Sequence, residues 1–229
     1  MKKSAFSLIL TLAVVMITGN LIAIAETTNS LAGKIIALDA GHGGGESGAV
    51  NQTYQVAEAD VNGDVVIALE AKLAAQGANV VIADRLSTRR DRVADAVNKC
   101  QAIYGRKCDV LISVHHNGNT DQTHDGTLVI YNEKQDIPLA QALHDSLLPL
   151  TNNDEGYLHG GYGITVYKNL VSALTEAYYI TNDEKAARYL NDLNADGVSN
   201  LVLEEADAQV KGISDYFTSQ TGGKGGKPR

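Results

Sequence analysis

The chain alternates between two hydrophobic periodicities, and this limits the folds open to it. Short, almost wholly apolar runs occur at 34–40 (KIIALDA), 79–83 (NVVIA), 109–114 (DVLISV) and 126–131 (GTLVIY). Runs this short, apolar on both alternating sides, read as strands buried on both faces, the mark of a mostly parallel sheet covered by helices. Between them the apolar residues recur at helical spacing. The stretch 57–76 carries Val61, Val65, Leu69 and Leu73 and stops at Gly77; 88–104 carries Val93, Ala96, Val97 and Ile103 and stops at Gly105. A glycine just past the last turn suits a helix end, where a left-handed backbone is common. Further helices are predicted over 137–150, from Asn182 or Asp183 to Leu190 with that side chain as cap, and over 198–217. Segments 164–167 and 172–177 add strands, and glycine-rich 156–163 reads as a loop. The pattern predicts one α/β domain over 33–218, three-layered, with a mixed, mostly parallel central sheet of about six strands flanked by helices. The tail 219–229 is too rich in glycine and polar residues to order itself.

The first residues have the form of an export signal over 1–25. Lys2 and Lys3 precede an apolar run from Ala5 to Ile17, and Ala23-Ile24-Ala25 supplies the small residues of a cleavage site. Retention as a membrane anchor is the alternative. Cleavage leaves no stable membrane insertion and places the mature chain in the periplasm or outside the cell. The net charge of −8 becomes more acidic once both lysines are removed. That argues against a nucleic-acid partner and against anionic lipid surfaces. The absence of Trp excludes a sugar platform of stacked indoles. Cys100 and Cys108 permit a disulfide in an exported chain, with two buried free thiols as the alternative. By themselves they supply too few ligands for a zinc site.

In open α/β sheets the loops after strand C-termini gather at one edge and carry the ligand site. This points to the loops after Ala40, Val114 and Ala177. The first holds His42 among glycines, in DAGHGGG, without the Lys-Ser or Lys-Thr of a phosphate loop. The second begins His115-His116. Strand alternation would turn those two imidazoles to opposite sides, leaving one as a ligand beside His42. Two histidines call for a third ligand, and both Glu58 and Glu46 offer a carboxylate. Glu58, at the start of a helix, is kept ionised by the helix dipole. Glu176 lies in an otherwise apolar strand, where a carboxylate is costly to bury without a partner or a task.

Taken together, Asp39 to Gly44, Glu58 to Asn62, Ser113 to Asn117 and Glu176 to Asn182 resemble, in order and context, the zinc-dependent N-acetylmuramoyl-L-alanine amidases of the amidase_3 group. The resemblance runs over roughly residues 34 to 215, nearly the whole domain. It implies His42, Glu58 and His115 as Zn2+ ligands and Glu176 as the catalytic carboxylate. Glu46 falls outside the metal shell, and Arg85 or the Thr88-Arg89 pair corresponds to the family's Thr-Arg segment. The implied reaction is hydrolysis of the amide between the lactyl group of N-acetylmuramic acid and L-alanine in peptidoglycan. A monomer is expected. No long helical insertion stands between Gly118 and Glu176, so activity is expected without an activator. Ala40 replaces the family's usual proline, and Ala177-Tyr178 its usual Thr-Gly. A catalytically inactive wall-binding or regulatory module on the same scaffold, or another zinc hydrolase of peptidoglycan, is the alternative reading.

Overall fold

The computed structural model describes residues 30–85, 88–163, 165 and 169–222; the expected leader, and the expected tail beyond Gly222, lie outside them. The chain opens with β1 (Ile35–Ala40), a small hairpin of β2 (Val50–Asn51) and β3 (Val56–Ala57), α1 (Glu58–Ala75) and β4 (Asn79–Ile82). It continues through α2 (Arg89–Tyr104), β5 (Val110–Asn117), β6 (Thr127–Tyr131), α3 (Ile137–Leu147), β7 (Asp154–His159) and β8 (Val171–Tyr179). It ends with α4 (Asp183–Asn191) and α5 (Asn200–Gly222).

The main sheet has six strands in the order β4-β1-β5-β8-β6-β7. Strands β4, β1, β5 and β8 run parallel. β6 pairs antiparallel with β8, and β7 runs parallel to β6, so a single reversal makes the sheet mixed. β1 is buried at every position. Its Ile35 and Ala37 face α2, packing with Val93 and Ala96. Its Ile36 and Leu38 face the opposite layer, with Val65, Leu69 and Leu73 of α1, Leu139 and Leu143 of α3, and Val202 and Ile213 of α5. This is the three-layer arrangement predicted from the two periodicities. Among the described residues no helix is long and apolar enough to cross a membrane. Cys100, at the end of α2, and Cys108, just before β5, form a disulfide with a Cα–Cα separation of 5.5 Å.

The structure departs from the sequence reading in five places. The stretch 156–163 is not all loop: Asp154–His159 forms β7, an edge strand whose backbone groups pair with β6 despite the left-handed Gly156. Most of the strand expected at 164–167 lies outside the described residues, and Thr165 sits in a turn. β5 does not end at Val114 but runs through both histidines to Asn117, because its ladder with β8 continues to Tyr179. The helix over 137–150 tightens into a 3-10 turn at Leu148–Leu150, where Pro149 has no N–H for the α-helical bond. α5 runs on to Gly222, into the segment expected to lack order; hydroxyls of Thr218, Ser219 and Thr221 bond back to the carbonyls of Ser214, Tyr216 and Thr218.

Candidate metal centre

Three elements converge at the C-terminal edge of β1 and β5. His42 follows β1 and adopts a left-handed backbone, φ 60°, followed by Gly43 to Gly45, also at positive φ. A non-glycine residue there is uncommon, and such strain gathers at functional sites. Glu58 is the first residue of α1, whose N-cap Ala57 provides no side-chain cap. The free N-terminal dipole therefore faces a carboxylate. His115 is delivered by the end of β5.

Glu58 ties the group together. Its Oε2 lies 3.1 Å from Nε2 of His42 and accepts the Ala49 N–H at 2.9 Å. Its Oε1 lies 2.9 Å from Nδ1 of His115 and accepts the His116 main-chain N–H at 3.1 Å. Burial opposes ionisation of Glu58, but the hydrogen bonds to His115, His42 and Ala49 prevail and hold its carboxyl far below the ordinary glutamate range. Burial pushes the His115 imidazole down, against the pull of Glu58, favouring the neutral ring that a metal needs. The two imidazole rings meet edge-on, centroids 4.9 Å apart. One donor atom from each of His42, Glu58 and His115 lies within 4.8 Å of the others.

The surroundings fit a divalent cation. Nε2 of His115 is buried with no hydrogen-bond partner among the described residues. A Cβ at Gly41 would collide with the His115 ring, and one at Gly48 would collide with Glu58 and His42. Two imidazoles and one carboxylate are a donor set suited to zinc with a position left open.

Glu176 pairs in register with His115 across the β5–β8 ladder. With His42, Glu58, His115, Tyr162 and Leu174 it lines one cavity of about 160 Å³. Glu46 is excluded from the cluster; it is largely exposed, and its Oε1 stands 3.6 Å from Nδ1 of His42. Arg85 sends its guanidinium to the carbonyls of Ala59 and Gly41, tying the His42 loop to the first turn of α1. Thr88 caps α2 by accepting the Asp91 N–H.

Two supports of the site are not legible as such in the sequence. Asp39, fully buried, accepts from Arg92 and from Ser113, each at 2.6 Å, and so pins the end of β1 to α2 and β5. The signal was a charged residue inside an apolar strand. The second is the set of residues around His116, which meets Asn62 and Glu205 on the face of β5 turned away from Glu176.

Fold and site together place a candidate metal centre on a three-layer α/β scaffold. Residues 36–204 match the family model Amidase_3, described as N-acetylmuramoyl-L-alanine amidase, and the chain belongs to that family. It is 29% identical over 201 residues to the uncharacterized protein YqiI of Bacillus subtilis (strain 168), covering 84% of this chain and 89% of that one. The N-acetylmuramoyl-L-alanine amidase LytC of the same organism is 27% identical over 183 residues, 76% of this chain and 36% of LytC. A solved N-acetylmuramoyl-L-alanine amidase from Clostridium difficile 630 superposes with a TM-score of 0.70 at 23% identity, covering 82% of this chain and 98% of that one.

Proposed function

We propose that the chain is a zinc-dependent amidase of peptidoglycan, cutting between the lactyl carbonyl of N-acetylmuramic acid and the amine of L-alanine. His42, Glu58 and His115 hold the ion and Glu176 is the catalytic acid and base. The observation that supports this most is the convergence of two imidazoles and an ionised carboxylate in the lining of a cavity that Glu176 also lines. Held by these three residues, a zinc ion would supply a Lewis acid for the scissile carbonyl and bring the pKa of a water down to about 7. Glu176 takes a proton from the attacking water and returns it to the leaving amine, a general base then a general acid. Glu58, kept ionised by its hydrogen-bond donors, offsets the charge of the ion. The main-chain N–H groups of Ala49 and His116 each donate to one oxygen of Glu58, which positions the carboxylate independently of the two rings.

The test is release of stem peptides from purified sacculi, with chelator and with zinc added back. The expected products are intact peptides with a free L-alanine amine, lost on chelation and restored by zinc. A shortened stem peptide or free acetate would point to a carboxypeptidase or a deacetylase. Binding of sacculi without any product would point to an inactive wall-binding module.

Export of the mature chain is proposed on the leader's charge and apolar run, and the Cys100–Cys108 disulfide supports it, since such bonds persist in oxidising compartments. Cell fractionation with N-terminal sequencing should find Glu26 as the first residue. A cytosolic chain that keeps Met1 would overturn this.

A further inference from the structure

Beneath the candidate centre, buried polar side chains run from α5 through β5 to α1. Nε2 of His116 lies 2.8 Å from Oε2 of Glu205, and Nδ1 lies 2.6 Å from Oδ1 of Asn62. His116 is 1% exposed, and Asn62 and Glu205 are fully buried. Gln209 donates to the other oxygen of Glu205 at 2.9 Å, and the Tyr178 ring lies against His116, centroids 4.3 Å apart. Packing a strand against two helices requires none of this. Apolar side chains of similar size would do so without the desolvation that buried polar and charged groups entail.

The arrangement has a direction that ends on Glu58. Nδ2 of Asn62 donates to the Gly41 carbonyl at 2.9 Å and faces Oε1 of Glu58 at 3.4 Å. Its Oδ1 therefore has to meet a donor, and that donor is Nδ1 of His116. Were the amide flipped, its oxygen would confront the Gly41 carbonyl and the Glu58 carboxylate together, an arrangement with no hydrogen to share. His116 also donates its own main-chain N–H to Oε1 of Glu58.

We propose that His116, oriented by Glu205, is a positioning residue for Glu58: its Nδ1–H fixes the Asn62 amide so that one amide N–H holds the Gly41 carbonyl and the other faces the carboxylate. The inference rests on Glu58 being a metal ligand. Groups that orient a metal ligand are typically worth 10–100-fold in metal affinity.

Two substitutions at one position test it. The amide nitrogen of His116→Asn can occupy the place of Nδ1 and keep the donor to Asn62. That of His116→Gln reaches the place of Nε2, towards Glu205, and leaves Asn62 without its donor. Both lose the ring against Tyr178, so a merely structural role would weaken zinc binding alike in the two. Zinc affinity is read by chelator competition, at a temperature where melting curves show both variants folded. His116→Asn should stay within about threefold of the unaltered chain and His116→Gln should fall about 10–100-fold. Asn62→Leu, which leaves His116 in place, should fall with His116→Gln and serves if either His116 variant fails to fold. Equal affinities for His116→Asn and His116→Gln, or unaltered affinity in Asn62→Leu, overturn the inference and leave the proposed function standing. An unaltered chain that binds no zinc overturns both. Zinc bound normally with no stem peptide released counts against the amidase reading alone.

Discussion

His115 and Glu176 sit directly across the β5–β8 ladder from one another, and the register shifts immediately beyond them, where Asn117 pairs with Tyr179. Residues paired in a parallel ladder project to the same face, so the ladder itself sets the imidazole and the carboxylate side by side. Such irregularities are common next to active sites. Rigid backbone, rather than a loop, holds the two groups at a fixed separation. Glu176→Gln keeps the shape of the carboxylate and removes its basicity. It should retain zinc at the level of the unaltered chain and lose stem-peptide release by about 10²–10⁴-fold. Near-normal turnover in that variant, with zinc content measured alongside, would remove Glu176 from the mechanism.

Gly48 and Gly33 both have left-handed backbones, φ 67° and 72°, but only Gly48 is crowded. A Cβ at Gly33 meets nothing within 4 Å, whereas one at Gly48 runs into Glu58 and His42. Gly33→Ala should therefore lose only the backbone preference, roughly 1 kcal/mol, and keep its zinc affinity. Gly48→Ala should lose that and displace the ligands, with zinc affinity down at least about tenfold. Denaturant unfolding of the apo proteins, paired with chelator competition, separates the two effects. Equal zinc affinity in the two variants would show that the ligands tolerate the intrusion.

The sequence makes the four strands of the parallel half and the three long helices legible because each obeys a single period over many residues. β7 escapes because its pairing comes from β6 rather than from its own composition, and Gly156 imitates a loop. His42, Glu58, His115 and Glu176 stand out through the motifs around them; burial and hydrogen bonding could not be read before the fold was known. Alternation along β5 correctly separates His115 from His116. It could not supply Glu205, which is 89 residues further on and, in a helix sequence, reads as a solvated charge. Arg92 escapes for the same reason: on α2 it reads as one of several surface arginines, yet it is 3% exposed against Asp39.

Acid should weaken the fold through Asp109, at the start of β5. Burial favours its neutral form, but hydrogen bonds from Arg106 and from the Ile35 N–H prevail and hold its carboxyl below the ordinary aspartate range. A carboxylate whose folded pKa is depressed adds stability above its unfolded pKa, about 3.9, and loses it as pH falls through the folded value. Asp109→Asn should be less stable by on the order of 1 kcal/mol at pH 6. The difference from the unaltered chain should shrink as the pH drops below about 4. Urea unfolding of both proteins across that range checks the sign; a gap that widens on acidification contradicts it.

Reduction of the disulfide should lower stability without touching the chemistry. Cys100 and Cys108 lie eight residues apart, joining the end of α2 to the start of β5, the end of that strand opposite His115. Closing a loop of that size restricts the unfolded chain by about 2.5 kcal/mol in the chain-entropy account. For a domain of this length that is roughly 5–10 °C in melting temperature. The reduced protein, with its thiols still filling the same space between α2 and the sheet, isolates this effect from the loss of packing that Cys100→Ala and Cys108→Ala would add. Reduced and oxidised samples should therefore release stem peptides at the same rate at 25 °C and part only on heating. A large loss of activity on reduction, in a protein still folded by circular dichroism, would show that the position of β5 at His115 depends on the bond at its far end.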